Sequence, residues 1–376
     1  MKMDGTKSPE KAWLVWAQPK RRPVPGAPPR QPDLLEELAS LVSAAGAVVA
    51  GRRTQPLSSV HPATMIGAGA LADLRETVRE NDVDLVVFQN LLRPNQQANL
   101  ERELNVKVLD RREIILDIFA RRARSREGKL QVELAQLSFR MGRLIGGRRD
   151  LSRLGGGIGT RGPGEKKLEE DRRRIRTGIR QIERALRTVR RTRALHYHRR
   201  REVGFPVVAL VGYTNAGKSS LFNRLTGADV FVADQLFATL DPSARRFSLP
   251  GSGTAILVDT VGFIHDLPAE LREAFLATLE GIGEADLLVH VADGSAENME
   301  ENISSVEGIL AELGFFGKPR LLVVNKSDLT GEAGDCPPGA IRISATTGSG
   351  IPALLKGMEG ELWLHRSAGS GSTRRV

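Results

Sequence analysis

Short apolar runs separated by polar, helix-compatible stretches open the chain. AWLVWA, GAVVAG, DLVVFQ and VKVLD, between about Trp13 and Asp110, read as four strands. Most of their connections are long enough for crossover helices, which predicts a small parallel α/β domain over residues 10–126. The Pro-rich residues 19–32 read as a loop after the first strand, and no catalytic constellation stands out in this part of the chain.

Beyond Arg111 the period changes. Leu130, Leu134, Leu137, Met141 and Leu144 recur at spacings of four and three, and Ile175, Ile179, Ile182, Leu186 and Val189 repeat the rhythm. Each run is a coiled-coil seam. Between them lies GGRRDLSRLGGGIGTRGPGE, too rich in glycine to be expected as helix. The expectation is an antiparallel helical hairpin over residues 127–201 with a glycine-rich tip. Its second arm, Glu165 to Arg200, would span roughly 54 Å at 1.5 Å per residue. From Phe205 strand patterns return in PVVALV, AILVD, RLLVVN and AIRIS, predicting a second, mixed but mostly parallel α/β domain over 205–366. Residues 367–376, SAGSGSTRRV, read as a disordered tail.

Composition narrows the class. The 376 residues are too many for one compact core and suit several domains. Forty per cent are hydrophobic and 27% charged, and no apolar run approaches a membrane span. The opening residues lack the succession expected of a secretory signal, and the single Cys336 excludes a disulfide scaffold. A cytoplasmic protein is expected, and a monomer. The net charge of +10 is unevenly placed: residues 140–201 carry 21 Lys+Arg against 6 Asp+Glu, whereas 205–366 carry 11 against 21. The basic excess therefore belongs to the hairpin, where it suits a polyanion such as RNA.

The acidic domain holds the chemistry. PVVALV runs into Gly212, Tyr213, Thr214, Asn215, Ala216, Gly217, Lys218, Ser219 and Ser220, and then into the helical pattern SLFNRL. Strand, glycine-bearing loop and helix make a P-loop: backbone N–H groups close on phosphate oxygens, Lys218 brings a charge to the β- and γ-phosphates, and Ser219 ligates Mg²⁺. AILVD ends in Asp259, followed by Thr260, Val261 and Gly262. Asp259 suits a water-mediated Mg²⁺ contact and the Gly262 N–H the γ-phosphate. Between these, LFATLDP supplies Phe237, Ala238, Thr239, Leu240 and Asp241, with Thr239 as the candidate switch threonine on Mg²⁺ and Thr226 as the alternative. RLLVVN leads into Asn325, Lys326, Ser327 and Asp328, whose carboxylate suits the N1–H and exocyclic amine of guanine. Adenine has neither donor, so GTP is expected over ATP. Ser344, Ala345 and Thr346 follow AIRIS, with the Ala345 N–H suited to guanine O6. Lys218, Thr239, Gly262 and Asn215 are the candidate catalytic residues, Asn215 because it stands where some GTPases hold K⁺ beside the phosphates. Phe263 stands where many GTPases carry a water-orienting Gln, so slow intrinsic turnover is expected.

These residues, with REGKLQVELAQL, GGGIGTRGPGEKKLEEDRRRIR, LFATLDP and DTVGFIHDLP, resemble the HflX-type GTPases from Trp13 to the end of the nucleotide-binding domain. The resemblance implies a Mg²⁺-dependent GTPase that associates with the large ribosomal subunit and its rRNA, the hairpin directed toward RNA, in splitting or rescue of stalled ribosomes. A ribosome-biogenesis GTPase, a GTP switch for a protein partner without RNA contact, and a GTP-binding module that barely hydrolyses remain the alternatives.

Overall fold

The computed structural model describes residues 8–19, 34–151, 163–202, 204–228, 236–237, 243–251, 253–264, 282–330 and 336–370. Their contacts divide the chain into two compact units: Met1–Arg121 with Val132–Glu183, and Arg122–Gln131 with Arg184–Val376.

In the first unit the four apolar runs become strands β1 (Lys11–Pro19), β2 (Val48–Leu57), β3 (Leu85–Phe88) and β4 (Lys107–Asp110). They form one parallel sheet in the order β2-β1-β3-β4. Helices α1 (Leu34–Ala44), α2 (Ala68–Glu80), α3 (Pro94–Leu104) and α4 (Arg111–Arg122) follow successive strands. Every residue of β3 is buried, as a central parallel strand covered on both faces requires. Edge strand β2 alternates exposed and half-buried residues and is buried only at Leu57. Its Gly51 has a specific cause: the β1–β2 register slips between Ala12 and Trp13, and a β-carbon at Gly51 would overlap the Trp13 indole.

The hairpin arms are α5 (Arg126–Leu151) and α6 (Pro163–Glu202). Both run beyond the expected bounds. Gly146, Gly147 and the residues to Leu151 continue α5, because two glycines cost only about 1 kcal/mol each against good helix formers such as Arg148 and Arg149. Helix α6 starts at Pro163, a residue suited to a first helical turn because its missing N–H has no partner to lose there. The glycine-rich run expected at the tip lies otherwise outside the described residues, from 152 to 162. The α6 seam is buried at Ile182 and Leu186, and Gly178 lets Leu137 of α5 approach to 3.1 Å from where a β-carbon would be. On α5 the deepest positions are Gln131, Val132 and Ala135, while Leu130, Leu134 and Leu137 are half-buried. Helix α5 is therefore covered more broadly than a two-position seam.

In the second unit six strands take the order β10-β9-β8-β5-β7-β6. They are β5 (Val207–Val211), β6 (Ser243–Ser248), β7 (Thr254–Asp259), β8 (Leu287–Asp293), β9 (Arg320–Asn325) and β10 (Ile341–Arg342). All pairs are parallel except β6–β7. Helices α7 (Lys218–Thr226), α8 (Met299–Glu312), the short α9 (Ser327–Thr330) and α10 (Ile351–Ser370) connect or follow them. Helix α10 continues to Ser370, four residues into the segment expected as tail. The core gathers Val208, Leu210, Leu221, Phe222, Leu257, Val289, Val323 and Leu354, so the carboxyl ends of β5, β7 and β9 rest on a packed base. No helix among the described residues is long and apolar enough to cross a membrane.

Candidate nucleotide-binding site

The loops that leave β5, β7 and β9 carry the sequence-identified residues, and hydrogen bonds tie them together. After β5, Gly212 has φ +151° and a β-carbon there would overlap the Val291 carbonyl oxygen. Gly217 has φ +87° and caps α7. Asn215, between them, is exposed with φ +64°. The P-loop is braced against the loop after β7 by two backbone bonds: the Thr214 N–H donates to the Phe263 carbonyl at 2.8 Å, and the Phe263 N–H to the Gly212 carbonyl at 3.1 Å. This pairing leaves no room at Gly262, where a β-carbon would lie 2.7 Å from Thr214 Cα and 3.0 Å from Lys218 Nζ.

Lys218 folds back over the loop, its Nζ donating to the carbonyls of Gly212 at 3.1 Å and Tyr213 at 2.6 Å. Burial pushes its pKa down to about 8, and the nearby Asp259 carboxylate partly offsets this. An anion in the loop would supply the missing compensation. Ser219 Oγ donates to Asp259 Oδ2 at 2.8 Å, and Asp259 is fully buried at the end of β7. A serine hydroxyl and a carboxylate converging on one point beside a phosphate-binding loop are oxygen donors that fit Mg²⁺. Thr260 is a brace, its hydroxyl donating to the Leu210 carbonyl at 2.6 Å, and Val261 is buried. Thr226, the alternative switch threonine, donates its hydroxyl to the Phe222 carbonyl at the end of α7. Thr239 itself, with Ala238, Leu240 and Asp241, lies outside the described residues, while Phe237 is buried with φ +57°.

The base-side loops are interlocked too. Asn325 Nδ2 donates to the Ala216 carbonyl at 3.0 Å, and Asn325 Oδ1 accepts the Ala345 N–H at 2.9 Å. Lys326, with φ +63°, pairs its Nζ with Asp293 Oδ2 at 2.7 Å, and the Ser327 N–H donates to the Ile343 carbonyl. Asp328 is exposed. Ser344 is fully buried, and its Oγ accepts the Thr347 N–H at 3.0 Å. Two residues here escaped sequence reasoning. Arg224 of α7 donates to the carbonyls of Ala345 and Thr346. His290 lies buried on β8, where burial and the cations Arg320 and Lys218 push its pKa down to about 4, so it is neutral at pH 7. The helix-facing position of Arg224 gave no signal, whereas a lone polar residue inside LLVHVAD did.

The three segments of the chain match three family descriptions. Residues 33–120 match GTP-binding GTPase N-terminal, 122–200 match GTP-binding GTPase Middle Region, and 207–326 match 50S ribosome-binding GTPase. GTPase HflX of Caldanaerobacter subterraneus subsp. tengcongensis is 50% identical over 335 residues, 89% of this chain and 78% of that protein. The chain belongs to the HflX GTPase family. GTPase HflX of Escherichia coli K12 is 45% identical over 346 residues, covering 88% of this chain and 80% of its own. Among solved structures, SsGBP in its GDP complex is 25% identical with a TM-score of 0.50, covering 93% of this chain and 98% of that one. As a member of this family the protein hydrolyses GTP.

Proposed function

We propose that this GTPase binds GTP with Mg²⁺ in the loops described above and, in its GTP-bound form, associates with the large ribosomal subunit through its basic hairpin. Separation or rescue of stalled ribosomes is the finer role. Ser219 and Asp259 would hold the metal, with Thr239 joining them. The ion would neutralise charge on the β- and γ-phosphates. Lys218 would exchange its two carbonyl partners for phosphate oxygens, and the Gly262 N–H would report the γ-phosphate. Asp328 would read the guanine N1–H and amine, and Ala345 its O6. K⁺ would sit beside exposed Asn215, so hydrolysis should run faster in KCl than in NaCl at matched ionic strength; equal rates would remove the ion.

The observation that carries the ribosomal reading is the face of α6. Arg173, Arg176, Arg180, Arg184, Arg187 and Arg191 are exposed along it. Arg172 differs. It is buried, and its Nη2 donates to the Leu144 carbonyl of α5 at 2.9 Å, so it joins the two arms. Replacing Arg173, Arg176 and Arg180 with Gln should weaken subunit binding and flatten its salt dependence by about 0.7–0.9 per lost phosphate contact. Filter binding across a KCl series measures the slope, and an unchanged slope would contradict an RNA-facing α6.

A further inference from the structure

A closed ring of hydrogen bonds joins the phosphate-binding loop to the base-side loop, and one member stands outside every nucleotide motif. Starting from the P-loop, the Ala216 carbonyl accepts from Asn325 Nδ2 at 3.0 Å, and Asn325 Oδ1 accepts the Ala345 N–H at 2.9 Å. The Ala345 carbonyl then accepts from Arg224 Nε at 3.0 Å, while Arg224 Nη2 donates to the Thr346 carbonyl. Arg224 belongs to α7, the helix that begins at Lys218, so the ring closes on the P-loop. The Ala345 residue is gripped at both its N–H and its carbonyl.

Local bonds alone would not place this loop. The Thr347 N–H to Ser344 Oγ and the Gly348 N–H to the Ser344 carbonyl, at 3.0 and 2.8 Å, fix the shape of the turn. Ile343, at the entry to the turn, is held on β9 by its N–H on the Val324 carbonyl, and Ala345 itself is held by Asn325 and Arg224. A guanidinium is a rigid planar fork that can serve two successive carbonyls, which an ammonium on a flexible stem does less well. Gly348 turns the chain beside Arg224 at φ +91°, a conformation that favours glycine; a β-carbon there would make only ordinary contact with the guanidinium, at 3.6 Å.

We infer that Arg224 is a positioning residue for guanine recognition, holding Ala345 in register with the P-loop so that the 6-oxo edge of the base is read. The inference rests on the assignment of Ala345 and Asp328 to the base. Asp328 is anchored without Arg224: the Ser327 N–H donates to the Ile343 carbonyl at 3.1 Å, and the Ile343 N–H donates in turn to the Val324 carbonyl of β9 at 2.8 Å. Loss of Arg224 should therefore blunt reading of the base at position 6 and spare reading at position 2.

The test titrates full-length wild-type protein, Arg224→Ala and Arg224→Lys with GDP, 6-thio-GDP and IDP, the last lacking the 2-amino group. Arg224→Ala is expected to bind GDP about tenfold more weakly, the equivalent of one charge-assisted hydrogen bond. Its preference for GDP over 6-thio-GDP should fall to within about twofold while its preference for GDP over IDP stays as in wild type, with partial recovery in Arg224→Lys. Wild-type affinities in Arg224→Ala, or an equal loss for all three nucleotides without rescue by Lys, would overturn the inference. Asp328→Asn, titrated with GDP and XDP, tests the underlying assignment separately. If it kept full guanine preference, the base-reading assignment would fail and the role of Arg224 with it.

Discussion

GTP turnover is expected to rise by about 10³- to 10⁵-fold when the protein is saturated with large ribosomal subunits, the range seen when catalytic groups are delivered in trans. The reason lies at Phe263. It follows Gly262, where a side chain able to orient the attacking water would be needed, and it is 4% exposed. Its backbone is fixed by the two bonds to Gly212 and Thr214, and its side chain is packed in the interior. A phenyl ring neither accepts a proton nor holds a water, and buried His290 on β8 is neutral and committed to the core. Among the described residues, then, groups suited to phosphate binding and charge are present, and neither Phe263 nor His290 is suited to order the nucleophile. Single-turnover hydrolysis with and without purified subunits measures the ratio, and stimulation below about twofold would contradict the proposal.

The second large effect is expected from Gly217→Ala, which should weaken GDP binding by about 10²-fold or more. Two costs combine. The left-handed conformation at φ +87° costs an L-residue roughly 1–2 kcal/mol. The new methyl would also overlap Asn325 Nδ2, forcing that amide off the Ala216 carbonyl and, through Oδ1, off Ala345. About 2.7 kcal/mol in total corresponds to 10²-fold. Fluorescent-GDP titration reads the loss, and circular dichroism confirms that the variant folds. Affinity within threefold of wild type would mean that the loop relaxes around the methyl and that Asn325 is not the brace described.

Much of this architecture was legible because it rests on short-range physics. A short unbroken apolar run such as PVVALV, bounded at once by a glycine-bearing loop, suits a buried parallel strand, which it forms. The seam residues Ile182 and Leu186 followed from helical period alone. What escaped depends on tertiary placement. Arg172 and Arg224 look in sequence like their exposed neighbours, yet one joins α5 to α6 and the other holds the Ala345 loop, because each happens to face a carbonyl brought there by folding. Strand β6 pairs antiparallel although SARRFS has only one deeply buried residue, Phe247, so its pairing was set by β7 rather than by its own pattern. The extension of α5 through Gly146 and Gly147 shows the same override, with neighbouring helix formers outweighing two glycines.

The proposed division of labour places nucleotide chemistry in an acidic α/β domain and polyanion contact on an arginine-lined helix. GTP is expected to govern association with the large ribosomal subunit. Co-sedimentation of the full-length protein with purified large subunits, in a non-hydrolysable GTP analogue and again in GDP, tests it most directly. Binding is expected to be at least about tenfold tighter with the GTP analogue, and weaker in both states as salt rises. Equal binding in the two nucleotide states, or no binding in either, would contradict it.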